Sequence, residues 1–84
     1  MRLSVEKMGG MAVKFVSPGL GGVPDRLVLL PGKKIAFVEL KAPGKKLRPQ
    51  QEKRKRQLEE LGFPVYVIDQ KEQVGGVLDE ICTT

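Results

Sequence analysis

Two apolar runs, residues 25–30 and 35–41, stand on either side of Pro31-Gly32-Lys33. Short runs rich in Leu, Val, Ile and Phe, broken by Pro-Gly, read as two strands of a hairpin. The hairpin carries three charges that its pattern does not ask for: Asp25 at the start of the first strand, Glu39 and Lys41 at the end of the second. Side chains alternate across a strand. Ile35, Phe37, Glu39 and Lys41 therefore share one face, and Asp25, Leu27 and Leu29 share one face of the neighbour. Turn length decides whether the two sets meet. A three-residue loop sets Leu30 opposite Lys34 and brings Asp25 opposite Glu39. A loop of two or four residues puts the two acids on opposite faces unless a bulge corrects the register.

The remaining segments supply a frame for this hairpin. Residues 1–8 predict a single helical turn closed by Gly9-Gly10, and residues 11–16 a strand. Residues 17–22 form a Pro/Gly-rich loop. A helix is predicted over 49–61, because proline suits the first helical position and Gly62 stops the helix. Its N-cap is weak, with Arg48 where Ser, Thr or Asp is preferred. Residues 63–68 read as a last strand with Pro64 at its start, where proline is tolerated. Asp69 and Glu72 resemble a capping box opening a C-terminal helix, whose Val74, Val77, Leu78 and Ile81 share one face. Gly75-Gly76 weaken that helix by about 1 kcal/mol each relative to alanine. Strand 35–41, the following helix and strand 63–68 suit a βαβ crossover, with those two strands parallel in a mixed sheet. The expected fold class is α/β, in one domain over residues 1–84.

Composition narrows the chemistry. The chain has 84 residues, a formal net charge of +5, one cysteine and no histidine. A core this small is marginal, and oligomerisation is one usual remedy. Cys82 has no intrachain partner, which fits a reducing compartment, and a cytoplasmic location is expected. No apolar run is long enough to span a bilayer. Between Lys33 and Arg56 there are ten Lys or Arg and two Glu, a local net of +8 against −3 for the rest. Clustered cations of this kind are a polyanion footprint, although a charge run is often only a solvated helix face. Without histidine, Ser–His and Cys–His nucleophiles and His-based zinc sites are excluded. Catalysis would have to use carboxylates, lysine, a metal and water.

Two nearby carboxylates repel unless they are protonated or bridged by a cation. A hard divalent ion such as magnesium takes oxygen ligands and is often held by one or two carboxylates plus substrate phosphate. Here Asp25, Glu39 and the carbonyl of Leu40 would serve. Lys41, on the Glu39 face, could orient water and offset charge growing on a phosphate. In the helix, Leu47, Gln51, Arg54, Leu58 and Leu61 form one stripe, with Leu58 and Leu61 expected to meet the sheet. Gln51 is then drawn inward near the Glu39–Lys41 strand end. Taken singly, a Glu-x-Lys triplet is usually a surface ion pair, Asp25 could cap a turn, and Gln51 could be an ordinary first-turn residue.

The segments GGVPDRLVL and FVELKAPGKKLRPQQEKRKRQLEELGFPVYVID resemble the virus-type replication-repair nuclease (VRR-NUC) group of the PD-(D/E)XK superfamily. The resemblance runs over about residues 9–81. It implies a restriction-endonuclease-like αβββαβ core and a Mg²⁺ or Mn²⁺ cofactor. It also implies Asp25 and Glu39 as metal ligands, Lys41 as catalytic and Gln51 as supporting the site. Relatives begin with a longer helix bearing an extra acid, whereas only eight residues precede Gly9 here. Glu6 is the nearest candidate, at too short a spacing. Small stand-alone members are similar to Holliday-junction resolvases, which implies a homodimer acting on branched DNA such as a four-way junction. Lys45, Lys46, Arg48, Lys53, Arg54, Lys55 and Arg56 would grip phosphates. A flap, nick or general DNA nuclease of the same fold is the nearest alternative, and a non-catalytic basic DNA-binding module is a further one.

Overall fold

The hairpin turns in three residues. In the computed structural model, which describes residues 1–83, Leu30 pairs with Lys34 across the Pro31-Gly32-Lys33 loop. Gly32 and Lys33 both take positive φ, 83° and 63°. Glycine accepts that conformation freely and lysine at a cost. The turn thus fixes the register on which the two acids depend. Thr84, the last residue of the expected 1–84 span, lies outside the described residues.

The elements follow in the order α1 (Arg2–Lys7), β1 (Met11–Lys14), β2 (Arg26–Leu30), β3 (Lys34–Leu40), α2 (Pro49–Glu60), β4 (Val65–Ile68) and α3 (Gln73–Thr83). They make one four-stranded sheet in the order β1-β2-β3-β4. The pairs β1–β2 and β2–β3 are antiparallel, and β3–β4 is parallel, joined through α2 as the βαβ pattern requires.

Strand alternation divides the sheet into two unlike faces. Val28, Leu30, Ala36, Val38 and Ile68 point to one side and are buried against Val5 of α1 and Leu78 and Ile81 of α3. Val74 and Val77 flank this core, so the apolar face read from the α3 sequence is the face that docks. The opposite side carries Met11, Val13, Leu27, Leu29, Ile35 and Phe37, all half-buried or exposed. Phe15 and Phe63 pack on Phe37 there, with ring centroids at 5.6 and 6.2 Å, within the range favourable for aromatic pairs. Beyond Phe37 on that side stand Glu39 and Lys41, covered by the start of α2.

Helix ends depart from the sequence reading in two places. Leu61 does not meet the sheet. It is the C-cap of α2 and 72% exposed. The Gly62 amide bonds to Glu59 O and the Phe63 amide to Leu58 O, the paired pattern of a Schellman ending, with Gly62 at φ 97°. This closure turns the chain before Leu61 can reach inward. At α3, neither Asp69 nor Glu72 caps the helix. The Gln73 side chain instead ties down the turn before the helix, accepting the amides of Asp69 at 2.8 Å and Gln70 at 3.2 Å. Its longer amide reaches back over the turn that precedes the helix.

Candidate active site

Asp25 immediately precedes β2. It remains in the sheet because Phe15 N–H donates to its carbonyl at 2.9 Å. Beyond the Arg26–Val38 pair, side chains replace ladder bonds between β2 and β3. The Asp25 amide donates to Glu39 Oε1 at 3.2 Å, and the Leu40 amide donates to Asp25 Oδ1 at 3.1 Å. Each acid thereby holds the other's strand. In an antiparallel ladder the N–H and C=O of one residue face the same neighbour. Leu40 therefore directs its carbonyl toward the Asp25 side as well.

Glu39 and Gln51 are the two buried polar residues of the described chain, each 7% exposed. A buried carboxylate is costly unless it is paired and hydrogen-bonded. Glu39 Oε2 accepts Gln51 Nε2 at 3.1 Å and lies 3.5 Å from Lys41 Nζ. Gln51 Oε1 in turn accepts Lys41 Nζ at 2.9 Å and the Arg48 amide at 2.9 Å. These partners fix the amide's orientation, since its oxygen meets two donors and its nitrogen meets a carboxylate. The Arg48–Gln51 bond is half a capping box. Arginine has no acceptor with which to complete it, so the weak cap seen in the sequence is served from Gln51 alone. No buried side-chain polar atom among the described residues lacks a partner.

The loop before Asp25 is seated on the same helix turn. A β-carbon on Gly22, whose φ is 79°, would lie 2.6 Å from the backbone oxygen of Gln50. The backbone of residue 22 therefore approaches α2 as only glycine permits. Arg54 Nε donates to Gly21 O at 2.9 Å from the next turn of the helix. These contacts were not foreseen. The run of glycines in 19–22 was the available signal, but only the fold shows what it packs against.

The other candidates distribute unevenly. Lys45, Lys46, Arg48, Lys53 and Arg56 are exposed. Arg54 is engaged with Gly21, and Lys55 pairs with Glu59 at 2.9 Å. Glu6 forms an exposed pair with Arg2 at 3.8 Å on α1. A cavity of about 470 Å³ lies at the turn end of the sheet, lined by Lys33, Ile35, Phe63 and Pro64 among others, and none of the site residues lines it.

The donor set can be tested against a metal ion. It offers two carboxylates and a backbone carbonyl, all oxygen. Among the described residues no three or more Asp, Glu, His or Cys side chains are grouped so that they could hold a metal ion. Oxygen-only donors with few protein ligands fit a hard divalent cation that keeps waters and takes further oxygens from substrate phosphate. They do not fit zinc or a soft metal.

Fold and site together define a nuclease domain: a mixed sheet that ends in an acid from one strand and a Glu-x-Lys from the next. The VRR-NUC domain model matches residues 10–72. A solved structure of a VRR-NUC domain superposes with a TM-score of 0.86 at 32% identity, over 93% of this chain and 85% of that one. A protein of Acyrthosiphon pisum secondary endosymbiont phage 1, named "Putative nuclease p44", is 56% identical over 68 residues, covering 81% of this chain and 73% of its own length. The chain belongs to the VRR-NUC family.

Proposed function

We propose that the chain is a metal-dependent endonuclease that hydrolyses phosphodiester bonds in DNA, acting as a homodimer on branched substrates such as four-way junctions. The observation that carries the reading is the closed network of Asp25, Glu39, Lys41 and Gln51 at one end of the sheet. A solvated ion pair needs none of this burial, and a binding module has no use for two adjacent carboxylates facing a lysine.

Asp25, Glu39 and the Leu40 carbonyl would hold Mg²⁺ or Mn²⁺, which when bound polarises the scissile phosphate and acidifies water. The protein's own groups do the rest. Lys41 is held between Glu39 and Gln51, so its ammonium is fixed before substrate arrives. Beside the phosphate it offsets the negative charge that grows as water attacks phosphorus and a P–O ester bond breaks. Gln51 bonds both Glu39 and Lys41 and so orients the pair. The rigid strand end mounts these groups at fixed spacing, which is how positioning lowers a barrier.

Two features support the finer reading. The half-covered apolar side of the sheet, with Met11 59% exposed and Val13 at its edge, suits burial against a second copy. Exposed Lys45, Lys46, Arg48, Lys53 and Arg56 flank Gln51 in the sequence and would hold DNA through phosphates without reading bases. The test is incubation with labelled four-way junction, flap and linear duplex, in Mg²⁺ or in EDTA, with sedimentation in parallel. Symmetric nicks on the junction, abolished by EDTA, from a two-chain species are expected. Cuts at flaps or nicks instead would retain the nuclease and replace its substrate. No cutting of any DNA in Mg²⁺ or Mn²⁺ would overturn the reading.

A further inference from the structure

A second cavity of about 470 Å³ opens beside Leu40, lined by Met1, Arg2, Ala12, Lys14, Arg26 and Leu40. Strand alternation places it on the side of the sheet away from α2. Glu39 points toward α2, whereas Leu40, Arg26, Ala12 and Lys14 share the other face. Three of its six lining residues are cationic. Two of them, Lys14 and Arg26, are directly opposed across the β1–β2 ladder. Like charges at directly opposed positions destabilise a sheet.

Internal acids do little to relieve this. Arg26 donates to Asp25 O at 2.9 Å and lies 3.8 Å from Asp25 Oδ2, a carboxylate already occupied by the site. Arg2 has only the exposed Glu6, at 3.8 Å. The Lys14 side chain has no hydrogen-bond or ion-pair partner among the described residues, and it is exposed. A small domain with a marginal core thus keeps an only partly compensated cationic cluster around a cavity one residue from each of its two site carboxylates. An anion in that cavity would relieve the repulsion. Its volume, within the several hundred Å³ of small-ligand sites, admits a phosphate with its sugar.

We propose that Arg2, Lys14 and Arg26 form a subsite for a DNA backbone phosphate flanking the scissile one, on the opposite side of the cut from the phosphates gripped by the α2 cations. The inference rests on the nuclease reading and adds a second wall to it. The backbone would run across the sheet end from the α2 side, past Asp25 and Glu39, into this cavity. The subsite sets strand position and carries no sequence information, because it reaches phosphate and not base edges.

The test measures affinity of the whole chain for labelled duplex by anisotropy over a KCl series in EDTA, where cleavage is prevented. Lys14→Gln, Arg2→Gln and their double variant are compared with wild type. Lys33→Gln, at the turn end of the sheet, is the control. Each lost phosphate contact should flatten the slope of log K against log[salt] by about 0.9. The double variant should lose about twice that, and Lys33→Gln nothing. Phosphate ethylation should interfere with wild-type binding next to the cut, and this interference should disappear in Lys14→Gln. Wild-type slopes in both single variants and the double variant, or an unchanged interference pattern, would overturn the subsite. If wild type binds yet cuts no DNA in Mg²⁺ or Mn²⁺, the nuclease reading fails on its own. If it cuts while the variants keep the wild-type slope, only the subsite fails.

Discussion

Gln51 answers two donors and one carboxylate with a single amide, and its neighbours depend on that arrangement. Replacing it by alanine leaves the Arg48 amide without its cap and the buried Glu39 with Lys41 as its remaining side-chain partner. Loss of buried hydrogen bonds costs about 1–3 kcal/mol, and a loosened site about 10²-fold in rate. Gln51→Ala is therefore expected to shift the urea midpoint down and to lower single-turnover cleavage by about that factor. Wild-type cleavage in this variant would reduce Gln51 to a helix cap. In the sequence, the pairing of Asp25 with Glu39–Lys41 was legible from strand alternation plus one choice of turn length. Gln51 was legible only as an inward position on a helical stripe. What it touches depends on how far α2 stands from β3, a distance no local pattern encodes.

At the scale of elements, the order of strands and helices followed from punctuation by Pro and Gly, while the helix ends did not. Leu61 continues the apolar stripe of α2, yet the Schellman closure at Gly62 overrides the stripe. Asp69 and Glu72 have capping chemistry, yet the side chain that orders this junction is Gln73, which folds back over the preceding turn. The glycines separate into those the fold requires and those it tolerates. At Gly22 both the positive φ and the contact with Gln50 forbid a β-carbon. Gly22→Ala should lower unfolding free energy by about 1–3 kcal/mol. Gly19→Ala, where nothing lies within 4 Å, should stay within about 0.5 kcal/mol in the same urea titration. Gly75 and Gly76 are exposed helical positions with open space around them. Alanine at either should stabilise by about 0.5–1 kcal/mol. Each kcal/mol raises the melting temperature by about 4–8 °C in a domain of this size, so an unchanged melting temperature would contradict the open helical setting.

Over the whole molecule, charge is divided by the sheet. The concentration of Lys and Arg in residues 33–56 pointed to cations on the α2 side. The cavity cations Arg2, Lys14 and Arg26 come from three separate segments, and only the β1–β2 register brings two of them together. Solvent and pH act on the other side of the sheet too. The Tyr66 phenol is raised above its ordinary value of 10.0, first by burial and then by the neighbouring carboxylate of Glu80, to which it is hydrogen-bonded. The folded chain therefore keeps a proton that the unfolded chain releases. This contribution to stability is complete below the unfolded value and is lost as pH rises through the folded one. Urea titrations should show an alkaline fall in stability that Tyr66→Phe diminishes, and an equal fall in both proteins would contradict it. The central claim is that the acids meeting across the β2–β3 register cut DNA. Asp25→Asn and Glu39→Gln keep the shape of each side chain and remove its charge, so cleavage of labelled four-way junction in Mg²⁺ tests the claim most directly. Both variants should bind the junction and leave it uncut. Cutting at the wild-type rate by either variant would contradict the claim.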